Sequence, residues 1–446
     1  MRGSMFFILR AIIIFISALL LVINYFGYDV NIIGVMVLSS YLLALFIYRP
    51  IEYANNLLFF IILIPMLIGG MLIERGTYLF EIDKYTYRNG TFLVNLFFSL
   101  IFIEFLIRPI QPSFKNSIIK IDRFLVEGVI IFSIVALYAA FINTGVPIIN
   151  GIHRSVYFSS MVPDYINLIK GRLTFVCMVL GLYLFRFKEK RYVLYFLLIV
   201  IYHILCSIKG GELLMVIYSF YLPITLFYAA KLTGKDRDKI SNNVRLALIF
   251  LLGSLFSLIL FNYQTVENYD NQTTAIEKIE KRVEAAGQIW WVINDESQVD
   301  SKLRMDSFLR NFRMEDNNIG KGMNQLMDEA VPNNILNAWR QQDTRGRSLA
   351  NGFPAIGFYY FGYVGVIVFI MVLGGIIIFI KKDILAAFES GDVISFLFIA
   401  PIMELAIRVV AQGDIYLFFE KRTYAIIFSY VLYGVIKDLM VRAKSL

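Results

Sequence analysis

An all-α polytopic membrane protein is the fold class this sequence predicts, and three observations predict it. Hydrophobic residues make up 58% of the 446 and charged residues only 17%, where soluble domains carry about 25% charged residues. Apolar runs of membrane length recur from one end of the chain to the other, and about 20 such residues suffice for a helix to cross the hydrocarbon core. Lysines and arginines crowd into alternate connections between these runs, as they do in multi-pass proteins whose basic loops stay in the cytoplasm.

The first run follows MRGS, which has the form of an expression-vector leader with Met5 as the natural start. It continues to Phe26 with no small-residue cleavage pattern, so it reads as a retained first span rather than a removed signal peptide. About 12 spans are expected in all, at 6–26, 30–48, 57–74, 90–107, 124–143, 172–187, 191–208, 212–230, 245–263, 354–380, 393–412 and 423–440. Pro50, Pro109, Pro112, Pro147 and Pro354 mark their ends. Pro65, Pro223 and Pro401 fall inside spans, where neighbouring helices satisfy the freed carbonyl. Cys177 and Cys206 lie in apolar runs and imply no disulfide framework. The chain is read as one integral membrane domain, 1–446.

One set of connections holds Arg108, Lys115, Lys120 and Arg123, then Arg186, Lys188, Lys190 and Arg191, then Lys231, Lys235, Arg237, Lys239 and Arg245. Lys381, Lys382, Arg442 and Lys444 belong with them, whereas the opposite set is balanced: Arg75, Lys84 and Arg88 meet Glu74, Glu81 and Asp83. Both termini are therefore expected in the cytoplasm. The net charge of +8 is then mostly topological, and no nucleic-acid partner is implied. Two long connections, 144–171 and 264–353, face outward on this reading. The second is too long for a mere connector, and such loops carry function. Its amides and carboxylates suit sugar hydroxyls, although polar composition is common to loops in general.

Familiar enzyme signatures are missing: there is no Walker loop, GxSxG, HExxH or CxxC. The only histidines are His153 and His203, and the sequence 236–238 reads DRD among cytoplasmic lysines. No bound metal and no cofactor are expected. What remains is a set of isolated cations near the outer face: Arg154 in INGIHRSVYF, Lys209 in SIKGGELL, Arg282 in KRVEAAGQIWW and Arg408 in MELAIRVVAQGD.

Each cation also has a plainer reading. Arg408 follows Glu404 by one helical turn, so an internal ion pair is available. Lys209 has Glu212 as a neighbour and a stem suited to snorkelling. Arg154 could serve only to tie down its loop. Arg282 is harder to explain that way, because Lys278, Ile279, Ala285 and Ala286 are its helical neighbours and none is acidic. Converging cations suit a diphosphate, since a guanidinium grips two oxygens in fixed geometry. Such a group is a good leaving group once its developing charge is held. Attack by a sugar hydroxyl then needs a base, and Glu284, Asp295, Glu296, Asp328, Glu329 and His153 all qualify by location. Tyr157, Gln288, Tyr359, Tyr360, Arg345 and Arg347 are candidate substrate contacts beside them. Trp290 and Trp291 read as interface anchors in preference to a sugar-stacking platform. Gly357, Gly362 and Gly365 read as close helix packing.

These patterns resemble the O-antigen repeat-unit polymerase family, Wzy. INGIHRSVYF is similar to a Gly-x-x-Arg-x-x-Tyr segment after the fifth span, and SIKGGELL to a Gly-Ser-Arg-like turn. KRVEAAGQIWW is similar to the arginine-bearing start of the large loop, and FPAIGFYYFGYVG to the segment that re-enters the membrane. Lys209 stands where the family pattern has arginine. The resemblance implies a GT-C-like architecture in the bacterial inner membrane, with 144–171 and 264–353 periplasmic. It also implies a metal-independent transfer of a growing glycan from undecaprenyl diphosphate onto the next lipid-linked repeat unit. Arg154, Arg282, Arg408 and Glu284 would be catalytic, and Lys209 with the contacts above would bind substrate. The partners implied are the undecaprenyl-diphosphate-linked oligosaccharide, membrane lipids, a chain-length regulator and a flippase.

Two other readings stand beside it. An O-antigen ligase-like transferase shares the architecture but favours a histidine base in the large loop, and 264–353 contains no histidine. A lipid-linked oligosaccharide flippase or transporter fits the span count, but no matching halves are visible in the sequence.

Overall fold

Each expected span contains a helix among the residues that the computed structural model describes, which are 2–110, 121–152, 156–206, 210–265, 274–295, 304–313, 320–342 and 352–445. The helices are α1 (Arg2–Tyr25), α2 (Asn31–Tyr48), α3 (Pro50–Ile73), α4 (Thr91–Leu106), α5 (Arg123–Thr144), α6 (Asp164–Lys170), α7 (Leu173–Phe187) and α8 (Arg191–Leu205). They continue as α9 (Gly210–Lys231), α10 (Gly234–Thr265), α11 (Ala275–Ile293), α12 (Met305–Arg310), α13 (Gly322–Ala330) and α14 (Asn333–Gln342). The last three are α15 (Ala355–Ser390), α16 (Val393–Gln412) and α17 (Lys421–Ser445). One antiparallel hairpin, β1 (Tyr78–Leu79) and β2 (Lys84–Tyr85), pairs Tyr78 with Tyr85 between α3 and α4.

Local chemistry sets the helix ends. Pro50 takes the first position of α3, where its missing N–H costs nothing. The Asp122 side chain accepts from the Phe124 N–H at 2.9 Å to cap α5, and Gly145, at φ +72°, ends that helix.

Nine helices among the described residues are long and apolar enough to cross a membrane, so the chain is a multi-pass, mostly helical membrane protein. The pair α6–α7, bent by 43°, makes a tenth if counted as one span. α4 and α8 are apolar but have only 16 and 15 residues. At 1.5 Å per residue each is about 24 Å or less, short of the ~30 Å hydrocarbon core. α15 is interrupted at Phe361 and Gly362, and Gly362 takes φ +63°. Across that break Gly357 meets Gly365, whose carbonyl oxygen would lie 2.9 Å from a Cβ on Gly357. The glycine packing therefore joins the two parts of one segment.

The chain divides into two compact units. The first comprises Met1–Arg108, Ile279–Ile378 and Leu405–Ala425. In it α1 to α4 pack on one another, and a charged cluster ties three of them together. Arg10 Nε of α1 reaches Glu104 Oε1 of α4 at 2.7 Å, and Tyr41 of α2 donates to the same oxygen. Such a pair inside apolar helices persists because each charge meets the other. Glu74 follows α3 and accepts from Asn31 Nδ2 (2.8 Å), Thr91 Oγ1 (3.3 Å) and the Phe92 N–H (3.1 Å), capping α4.

The second unit comprises Pro109–Lys278, Phe379–Glu404 and Ile426–Leu446. Gly181 of α7 lies against the backbone of Phe220 in α9, and Phe196 of α8 stacks on Phe220 with centroids 3.9 Å apart. Glu127 of α5 gathers Arg123 (2.6 Å), Arg191 (3.2 Å) and Tyr192. Asp392, between α15 and α16, accepts from Lys437 (2.8 Å), Tyr433 and Ser395.

Candidate functional site

The first unit holds most of the described candidate residues, and α11 carries three of them. This helix begins with a reciprocal capping box: Glu277 accepts from the Thr274 N–H at 3.0 Å, and Thr274 Oγ1 accepts from the Glu277 N–H at 3.3 Å. Its second half, Ala286 to Ile293, is buried, while Glu280, Lys281 and Arg282 are exposed.

Two contacts bury that second half. Gly287 and Val283 meet α3 at Gly69, where a Cβ on Gly69 would stand 2.9 Å from the Gly287 nitrogen. The hairpin segment then grips a different side. Gln288 Nε2 donates to Glu81, and Trp291 Nε1 donates to the Tyr87 carbonyl at 2.8 Å. Lys84 Nζ and the Tyr87 hydroxyl reach the two oxygens of Asp295 at 2.6 and 2.9 Å. Trp290 and Trp291 are 1% and 0% exposed. Their apolar rings fill this docking surface, and Trp291 lies edge-on to Tyr87, so they anchor the helix to protein and not to an interface.

Arg282 is left exposed, with no ion pair among the described residues. Glu284 is half-buried, and burial first, then the neighbouring Glu280, pushes its carboxyl up while Lys281 opposes the shift. A raised carboxyl suits a base working near neutral pH. Residues two apart on a helix do not face each other, so Arg282 and Glu284 do not share a side of α11. Gln288 is buried and occupied by Glu81.

Tyr359 and Tyr360 sit in a second cluster. Arg304 Nη2 bridges to Glu329 Oε2 at 2.9 Å, Tyr359 donates to Glu329 Oε1, and the Arg304 guanidinium lies 4.3 Å from the Tyr359 ring centroid. Asn311 Nδ2 donates to the Tyr360 hydroxyl at 3.0 Å, and its Oδ1 accepts from the Gly322 N–H at 2.8 Å. Both tyrosines are buried and their hydroxyls bind protein.

Arg408 is exposed on α16, with no ion pair among the described residues of its unit. Just beyond it, Asp414 is buried, accepts from the Met323 N–H, and has one oxygen, Oδ1, with no hydrogen-bond partner among the described residues. Burial pushes its carboxyl up to about 6, against the Met323 N–H and Arg408, which favour the charged form. No contact joins Arg282 to Arg408 among the described residues.

Tyr157 belongs to the second unit, buried, with Thr144 Oγ1 3.2 Å from its hydroxyl. Glu212, the expected neighbour of Lys209, is bound by Lys170 at 2.8 Å. Arg154, His153, Lys209, Glu296, Arg345 and Arg347 lie outside the described residues. Among the described residues no His, Cys, Asp and Glu side chains gather as a metal site. Sequence reasoning passed over Glu81, Lys84 and Tyr87 as partners of α11, and also Arg304 and Asp414. The balanced charge of 74–88 was the one signal that this connection pairs with protein.

No curated protein and no solved structure matches the chain. A family model described as a family of unknown function (DUF6418) matches residues 316–427, less than half of the chain. The matched segment includes Glu329, Tyr359, Tyr360, Arg408 and Asp414 and leaves out Arg282.

Proposed function

We propose that this chain is a metal-independent membrane glycosyltransferase of the O-antigen polymerase type, acting at the outer face of the bacterial inner membrane. The observation that carries the reading is Arg282, an exposed cation without an ion-pair partner among the described residues, on a helix whose other half is docked in protein. A fixed cation of this kind suits a partner that arrives from outside, and a diphosphate fits a guanidinium in bidentate geometry.

In the proposed reaction an acceptor sugar hydroxyl attacks the anomeric carbon of the lipid-linked glycan. The new glycosidic bond forms as the bond to the diphosphate oxygen breaks, and the lipid diphosphate departs with the electron pair. The hydroxyl proton goes to a carboxylate base; Glu284 does not share a side of α11 with Arg282, so this base comes from another segment. Arg282 and Arg408 hold the charge that develops on the leaving group. The basic connections around Arg123, Arg191 and Arg237 support cytoplasmic termini and an outward-facing 264–353 loop. The acceptor is a second lipid-linked repeat, delivered by a flippase and counted by a chain-length regulator.

Deletion of the gene tests the reading. Lipopolysaccharide with core plus a single repeat supports a polymerase. Intact lipid-linked polymer that never reaches the core points to a ligase-like transferase instead, and absence of any repeat points to a flippase. Arg282→Ala is expected to remove long chains while the protein stays in the membrane at normal abundance. A wild-type ladder from that variant would overturn the proposal.

A further inference from the structure

We propose that the connection between α3 and α4, residues 74–90, is a positioning element for Arg282, with Glu81, Lys84 and Tyr87 as its positioning residues; the inference rests on the polymerase reading of Arg282. The hairpin's partners on α11 and just beyond it are Gln288, Trp291 and Asp295. Gln288 and Trp291 stand at i and i+3 on one helical face, and Asp295 follows the helix end at Ile293. α3 meets a different side, through Val283 and Gly287, which are one turn apart.

With 3.6 residues per turn, Arg282 lies about 120° around the axis from Gln288 and about 140° from Gly287. It therefore points away from both grips, on the third side of the helix. The two grips together set the rotation of α11 about its own axis. A contact with α3 alone, through two small backbone surfaces, leaves that rotation to side-chain packing. The polar contacts from the hairpin are directional and lock it.

Rotation matters more for a cation than for a packed side chain. A turn of about 20° moves a group ~6 Å from the axis by roughly 2 Å, and a misplacement of about 1 Å can cost 10²-fold in rate. Within this connection Glu74 and Arg88 hold its two ends to α1, α2 and α4, while Glu81, Lys84 and Tyr87 between them bind α11 and Asp295. Lys84 also lies 5.8 Å from the Trp291 ring centroid, so one side chain holds both the indole and the Asp295 carboxylate.

The test uses the full chain in membranes and two variants, Glu81→Ala and Lys84→Met/Asp295→Asn. The second removes both charges together, so no buried ion is left unpaired. Spin labels at Phe80→Cys and Lys281→Cys, both exposed positions, report the hairpin-to-helix distance, while Cys177 and Cys206 are buried. The expected result is normal abundance, a broadened distance distribution and at least a tenfold loss of long chains in both variants, with Lys84→Arg retaining the wild-type ladder. Long chains made at wild-type level despite a broadened distribution overturn the inference, as does their loss with the distribution unchanged. If one variant fails to accumulate, the other decides by the same two readouts. An Arg282→Ala variant with a normal ladder sinks the polymerase reading itself; a null Arg282→Ala beside fully active hairpin variants sinks only the positioning role.

Discussion

Gly287 of α11 lies directly against the backbone of Gly69 in α3, with its nitrogen 2.9 Å from where a Cβ on Gly69 would stand. Neither position has room for a side chain, because the obstructing atoms are backbone on both sides. Small residues allow this approach, as they do wherever membrane helices pack closely.

Gly287→Val is therefore expected to push α11 off α3. Overpacking of a close-packed contact costs about 1–3 kcal/mol, and backbone obstruction puts this case at the upper end. A lowered melting temperature of the detergent-purified protein checks it; an unchanged one refutes the contact.

Glu74 makes a second stability prediction. Its carboxylate satisfies Asn31, Thr91 and the first turn of α4 from a buried position. Glu74→Ala strips all three donors of their acceptor, and hydrogen bonds to a charged group are worth about 1.5–3 kcal/mol. Glu74→Gln keeps an acceptor and is expected to lose less. Thermal melts of the two variants give the ordering, and equal losses would contradict it.

Arg408 behaves in the opposite way. It is exposed and forms no ion pair among the described residues, and surface substitutions away from specific contacts stay within about ±0.5 kcal/mol. Arg408→Ala is expected to leave abundance and melting unchanged while lowering long-chain glycan at least tenfold. Arg408→Lys is expected to recover only part of the loss, since an ammonium does not reproduce the two-pronged grip. Quantified gel ladders distinguish the three proteins.

Asp414 predicts a pH dependence. Its carboxyl is raised from 3.8 to about 6 by burial, so between those values the folded state holds a proton that the unfolded chain has released. Stability then falls as pH rises from about 4 to 6 and levels off above. A shift of this size corresponds to roughly 3 kcal/mol. Asp414→Asn is expected to flatten that slope and to be the more stable protein above pH 6. Melting temperatures measured across this range in wild type and variant check the sign; a wild type that gains stability between pH 4 and 6 through this residue would reverse it.

The spans were legible in the residues because hydropathy is a property of neighbours along the chain. The expected 393–412 and the observed Val393–Gln412 coincide, as do 30–48 and Asn31–Tyr48 to within a residue. The fates of single side chains were less legible. Trp290 and Trp291 looked like surface anchors because nothing near them in the chain shows what covers them, and Gln288 looked free for the same reason.

Arg282 shows the division most clearly. That it lacks a partner within its own helix follows from residues 278 to 286 alone, since an α-helix brings together only positions three and four apart. That it still has none among the described residues after folding, while Gln288 six residues on is claimed by Glu81 from 207 positions away, depends on which segments meet across the unit. Helix formation and membrane preference are local and additive, and so can be read from composition and spacing. Partner choice depends on packing between distant segments, where a backbone approach such as Gly69 on Gly287 settles which side of a helix stays open.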